Sequence, residues 1–171
     1  MQRGQDRKRL RLSLIVATLV VALDQLSKLW IRDNLVPGES LPEIGCLQLT
    51  YVVNTGSAFG LFANQTFLLI VITIVSLAAI ILFLRYLGSA SALTSVSLGL
   101  IFGGAVGNLV DRLHLGYVVD FIHVRLWGGL YWPAFNFADA AIVVGIFTLA
   151  YSLYRCGLFR KVYEHDRGIE N

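Results

Sequence analysis

The sequence predicts an all-α membrane protein of four transmembrane helices, with a small β-rich extracytoplasmic element between the first and second. Three observations predict it. Of the 171 residues, 56% are hydrophobic and only 15% charged, and mean hydropathy is +0.68; a soluble domain of this length needs far more polar surface. Four apolar segments each approach the roughly 20 residues that cross a hydrocarbon core. The Lys and Arg residues gather in short blocks beside those segments, which is how membrane orientation is encoded. The pI near 9.0 therefore does not indicate nucleic-acid binding. The whole chain, 1–171, reads as one integral membrane domain without internal repeats or low-complexity segments.

The first span covers about 10–30. Arg7, Lys8, Arg9 and Arg11 precede it as they would a cleavable signal peptide. No small-x-small cleavage site comes after it, and the helical pattern continues through Leu26, Leu29 and Trp30, so an uncleaved span is expected. The other spans fall at about 66–86, 93–113 and 135–154. One side of the membrane receives the basic N-terminus, the turn at Arg85, and Arg155, Arg160, Lys161 and Arg167; the other holds only Lys28, Arg32, Arg112 and Arg125. Positive-inside places both termini in the cytoplasm and the longer connections, about 31–65 and 114–134, outside. In the first connection Cys46–Val53 alternates and is rich in β formers, so a strand or hairpin is expected. Asn54-Thr55-Gly56 breaks it, and 57–62 suits a short interfacial helix. Cys46 and Cys156 fall on opposite sides on this topology and cannot pair.

Ionisable residues inside spans cost about 2.5–3.5 kcal/mol at a helix centre, so each needs an explanation. Asp24 and Lys28 stand at i, i+4 on the first span, acid first, which is the favourable order for an ion pair. A self-neutralising pair with Lys28 reaching outward to the interface is the plain structural reading. Gly99, Gly103 and Gly107 form a stripe for close helix approach. On the adjoining row Gly104, Asn108 and Arg112 share a face that points into the bundle, although Arg112 has an alternative in pairing with Asp111 or reaching headgroups. Asp120 lies within the apolar run 117–122. Asn136 and Asp139 have an ordinary explanation as the N-cap and N3 acid of the fourth span. Two acids entering one membrane layer from adjacent helix ends also suit another purpose. Brought close, they share a proton, so that one acts as base toward water while the other hydrogen-bonds a scissile carbonyl.

Five segments in order carry a resemblance: Asp24-Gln25-Leu26-Ser27-Lys28, Asn54-Thr55-Gly56-Ser57-Ala58-Phe59, the run 103–112 (GGAVGNLVDR), Val119-Asp120-Phe121 and Phe135-Asn136-Phe137-Ala138-Asp139. Together they resemble signal peptidase II, the bacterial lipoprotein signal peptidase, over almost the whole chain. The resemblance implies an intramembrane aspartic endopeptidase that cuts signal peptides from diacylglyceryl-modified prolipoproteins, N-terminal to the lipidated cysteine. It implies Asp120 and Asp139 as catalytic. Asn54, Gly56, Asn108, Arg112 and Asn136 become substrate-binding or orienting residues, with Asp24 and Lys28 in support. It also implies a bacterial cytoplasmic (inner) membrane location with an extracytoplasmic site, membrane lipid as a partner, and inhibition by globomycin-like cyclic peptides. No metal or other cofactor and no nucleic-acid partner is expected, and a monomer is. Ser57 departs from the family's usual Ala, a small-for-small change.

Two other classes compete. An intramembrane-acid transporter requires polar residues through the whole membrane depth, whereas the inner halves of the spans read as almost purely apolar. A non-catalytic subunit would use the acids to pair with another protein. Ser57 stands in no nucleophile elbow, and His114 and His123 lack zinc-site spacing.

Overall fold

The computed structural model describes residues 2–42, 44–57, 61–86 and 91–155. Four helices, α1 (Gln2–Asn34), α2 (Thr66–Tyr86), α3 (Ala92–Leu115) and α4 (Phe137–Arg155), run alongside one small antiparallel sheet. By length and composition α1, α3 and α4 are apolar enough to cross a membrane; in α2 the apolar stretch is described through Leu82. α1 begins well before the expected Leu10, because the basic N-terminal residues continue the helix.

α3 is the central helix, packed by α1, α2 and α4. Its glycines explain the close contact. A Cβ on Gly99 would lie 2.7 Å from the Ser13 carbonyl oxygen, and one on Gly103 2.7 Å from that of Ala17, both on α1. Gly104 faces the Ala138 carbonyl of α4. Glycines on two adjoining rows therefore allow two helix backbones to approach one helix. Far from the sheet, side-chain hydroxyls join the same three helices. Ser13 Oγ donates to the Ser95 carbonyl at 2.8 Å, Thr94 and Ser91 each meet Ser152 at 2.9 Å, and Ser97 donates to Thr148 at 2.9 Å. The expectation of an almost purely apolar inner half is thus corrected. These small hydroxyls are masked by the apolar average of their segments, and each is satisfied by a neighbouring helix.

α3 stops where the sheet must begin. Gly116 adopts φ 84°, and its N–H returns to the Arg112 carbonyl at 3.2 Å; the left-handed cap is open to glycine without strain. The chain turns directly into β3. The sheet comprises β1 (Ser40–Leu41), β2 (Leu47–Asn54), β3 (Val118–Arg125) and β4 (Tyr131–Phe135), in that spatial order. The β element expected between the first two spans is therefore only half of it. β3 and β4 come from the connection between α3 and α4, where a 3-10 turn at Trp127–Gly129 closes a hairpin. The partner of β2 is the distant β3, and a strand's own sequence does not name its partner.

β2 and β3 set Val52 opposite Asp120 and Asn54 opposite Val118. Val119 and Phe121 pack with Tyr51 onto Ile31 and Leu35 at the end of α1. Strand alternation then aims Asp120, between them, to the opposite face. Beyond β2, the helix expected over 57–62 is absent at its described end: Leu61–Asn64 are turns, Phe62 and Asn64 have positive φ, and 58–60 lie outside the described residues. Cys46 is exposed and free; Cys156 lies outside the described residues.

Candidate active site

Five chain segments, from α1, β2, α3, β3 and the start of α4, converge where α3 and β3 meet α4. Asn136 is the N-cap of α4: its Oδ1 accepts from the Asp139 N–H at 2.9 Å, while Asp139 Oδ2 accepts from the Asn136 N–H at 3.3 Å. This reciprocal capping box fixes the Asp139 carboxyl. With Oδ1 occupied, the Asn136 amide nitrogen points the other way and donates to Asp120 Oδ1 at 2.7 Å. One asparagine is thus bonded to both aspartates. The capping reading of this segment holds, and the same asparagine links the two acids.

Asn54 meets Asp120 from β2. The Gly56 N–H donates to Asn54 Oδ1 at 2.9 Å, which turns the amide nitrogen toward Asp120 Oδ2 at 2.8 Å. The register that pairs Asn54 with Val118 is what brings it there. Arg112 donates to the Gly56 carbonyl at 3.1 Å and so ties the segment after β2 to α3. Of the alternatives weighed for Arg112, pairing with Asp111 does not hold as a hydrogen bond, since Asp111 bonds Lys28, Gln25 and the Val119 N–H. Asn108, one turn earlier on the same row, donates to Asp139 Oδ1 at 2.7 Å.

Asp120 is only 2% exposed, whereas Asp139 is half-buried. Burial, with the like charge of Asp139 second, pushes the Asp120 carboxyl up to about 7; amide donors from Asn54 and Asn136 and the charge of Lys28 partly offset this. A buried acid that keeps its proton beside a second, more accessible acid is an arrangement suited to acid–base chemistry.

Lys28 corrects an expectation. It does not reach outward; it is 2% exposed and bonds Asp24 at 2.7 Å and Asp111 at 2.9 Å. A lone i, i+4 pair could remain at the surface, but a lysine facing two acids on two helices is drawn inside. Asp111 and Gln25 are site residues that sequence reasoning missed. Gln25 Nε2 donates to Asp111 Oδ1 at 2.9 Å, and Asp111 Oδ2 accepts the Val119 N–H at 3.0 Å. A signal for Asp111 was present: it extends the stripe Gly99, Gly103, Gly107 by one turn, on the face turned to α1.

All nine residues singled out in the sequence lie in this one network. His123 stands apart, against the Tyr131 ring, and Ser57 Oγ donates to the Leu61 carbonyl.

Comparison with known proteins decides the family. The sequence model of signal peptidase (SPase) II matches residues 16–155. The chain belongs to the signal peptidase II family. It is 50% identical over 141 residues to a lipoprotein signal peptidase of Moorella thermoacetica, an alignment covering 82% of this chain and 91% of that one. A lipoprotein signal peptidase of Desulforapulum autotrophicum is 42% identical over 155 residues, covering 86% and 92%. Two solved structures, described as bacterial membrane enzyme structures obtained by the in meso method, have the same fold. One has TM-score 0.75 with 32% identity over 84% of this chain and 87% of that chain. The other has TM-score 0.73 with 32% identity over 82% and 91%. As a signal peptidase II, this protein is a membrane protease.

Proposed function

We propose that Asp120 and Asp139 are the catalytic pair of an intramembrane aspartic endopeptidase that removes signal peptides from diacylglyceryl-modified prolipoproteins, N-terminal to the lipidated cysteine. The observation that carries this reading is the double engagement of Asn136, which bonds Asp120 through its side chain and Asp139 through its backbone and cap.

Asp120 enters the reaction holding the proton, and Asp139, the more accessible acid, serves as the base. Asp139 takes a proton from water as the water attacks the scissile carbonyl carbon, and Asp120 gives its proton to the carbonyl oxygen. In the second half the C–N bond breaks, the leaving amine takes a proton from Asp139, and Asp120 recovers its own from the collapsing diol. Asn54, Asn108 and Asn136 hold the two carboxyls, and Arg112 with Gly56 holds the substrate-side loop. Asp24 and Lys28 support the site.

The four helices all cross the bilayer of the bacterial inner membrane as one domain, with α2 as the fourth span and both termini in the cytoplasm. The sheet then lies at the extracytoplasmic boundary. Substrate enters sideways from the lipid, its acyl chains remaining in the membrane, while water reaches Asp139 from outside. The enzyme acts as a monomer, and globomycin-like cyclic peptides occupy the same site.

The test is cleavage of a diacylglyceryl prolipoprotein by the detergent-purified protein, read by gel shift, beside the unlipidated substrate and with globomycin added. Cleavage of the lipidated form alone, blocked by globomycin, is the expected result. No cleavage, or equal cutting of both forms, contradicts the substrate assignment.

A further inference from the structure

The ammonium of Lys28 has three protons and three acceptors at hydrogen-bond distance: Asp24 Oδ2 at 2.7 Å, Asp111 Oδ2 at 2.9 Å and Asn108 Oδ1 at 3.0 Å. Each of the two acids also holds a particular backbone group. Asp24 Oδ1 accepts the N–H of Ala138, the residue before Asp139. Asp111 Oδ2 accepts the N–H of Val119, the residue before Asp120. The third acceptor has a comparable consequence. An ammonium can only donate, so Asn108 must present its oxygen to Lys28, and its amide nitrogen is left to face Asp139 at 2.7 Å. The Asn136 amide adds a second donor to the same Asn108 oxygen at 3.1 Å and reaches Asp120 at 2.7 Å. Every branch leaving Lys28 ends at, or one residue before, one of the two aspartates.

We propose that Lys28 is a positioning residue for the reaction, fixing the orientation of the Asn108 amide and, through Asp24 and Asp111, the backbones that carry Asp139 and Asp120. Asp111 is a second positioning residue in the same arrangement. The proposal rests on the reading of Asp120 and Asp139 as the catalytic pair. It goes beyond a supporting ion pair in naming the group acted upon, Asn108. A buried ion pair is weak evidence of stabilisation, since an apolar replacement of similar shape is often as stable; here each charged contact leads toward a reacting group.

Removing Lys28 alone strands two buried carboxylates, so the test removes the charges together. In the combined variant Asp24→Asn, Lys28→Met, Asp111→Asn, the asparagines can still accept from Ala138 and Val119, while Asn108 loses its ammonium. The variant is expected to unfold at nearly the wild-type temperature, with KM nearly unchanged and kcat lowered about ten- to a hundredfold, as a small misplacement of reacting groups does. Because Lys28 acts through Asn108, the same three changes made on Asn108→Ala should lower kcat much less. A folded variant with wild-type kcat, or full additivity with Asn108→Ala, overturns the proposal. If the combined variant does not fold, Lys28→Arg decides. The planar guanidinium engages the carboxylates and is expected to leave Asn108 without its point donor, so a wild-type kcat there overturns the proposal as well. Failure of both to fold overturns it too, since the group would then hold the bundle and not the pair. Asp120→Asn and Asp139→Asn run in the same assay separate the two readings. If either is active, the catalytic pair itself is wrong; if both are inactive while the combined variant cuts normally, only the positioning role is.

Discussion

Asn136 and Asp139 exchange two hydrogen bonds, side chain to backbone in each direction, at 2.9 and 3.3 Å. The box that starts α4 therefore also holds one carboxyl of the proposed pair, and its remaining amide donor reaches Asp120 at 2.7 Å. On the proposed reading, stability and catalysis depend on different atoms of Asn136. Asn136→Ala is expected to cost about 1 kcal/mol through the lost cap and to lower kcat on the order of a hundredfold. Asn136→Ser keeps a capping oxygen without the amide nitrogen. Thermal unfolding should therefore recover in the serine variant while cleavage stays low.

The α1–α3 contact permits a similar separation. A Cβ on Gly103 would strike the Ala17 backbone, at 2.7 Å from its oxygen, whereas one on Gly107 would strike the Asp24 carboxylate at 2.6 Å. Gly103→Ala and Gly107→Ala should each destabilise by about 1–3 kcal/mol through overpacking. Per folded molecule, Gly103→Ala should cut at close to the normal rate. Gly107→Ala should not, because Asp24 holds the Ala138 N–H beside Asp139.

Arg112 reaches the Gly56 carbonyl at 3.1 Å, and Gly56 in turn orients Asn54. Arg112→Gln should raise KM and lower kcat, each by about tenfold, as the loop and the Asn54 donor lose their place. Kinetics across a substrate series would check this; an effect on KM alone would mean that Asn54 keeps its orientation without the arginine.

Burial, with the like charge of Asp139 second, pushes the Asp120 carboxyl up to about 7. The proposed pair needs this proton, so kcat should fall as pH rises through about 7. The linkage to stability has the same direction. A carboxyl raised from 3.8 in the unfolded chain binds its proton more tightly when folded. The stability this contributes is complete below about 4 and is lost as pH rises through about 7. Unfolding temperature should accordingly decline between pH 5 and 8 in the wild type, and this part of the slope should be absent in Asp120→Asn.

The helices are legible in the sequence because burial in lipid demands long apolar runs; Asp120 stands out as an acid in an apolar run, whereas Asp139, by itself an ordinary cap residue, stands out only beside Asp120 and through the family resemblance. β3 is not legible, since it pairs with β2, and Asn54 and Asp120 stand 66 residues apart in the chain; β4 adds only to β3, across the hairpin between them. The buried position of Lys28 escapes a local reading for a related reason. Its i, i+4 partner Asp24 is visible locally, whereas Asp111 and Asn108 meet it only after the glycine stripe has brought α3 against α1. The hydroxyls Ser13, Thr94, Ser97 and Ser152 escape because small polar residues barely change the mean of an apolar segment.

The central claim is that Asp120 and Asp139 act as a pair, and single-turnover cleavage of a diacylglyceryl prolipoprotein by Asp120→Asn and Asp139→Asn tests it most directly. Both variants should remain folded, as judged by their unfolding temperatures in detergent, and still bind the lipidated substrate. Neither should cut detectably while the wild type cuts to completion. Cleavage at the wild-type rate by either folded variant would contradict the account and leave the acids with a structural task alone.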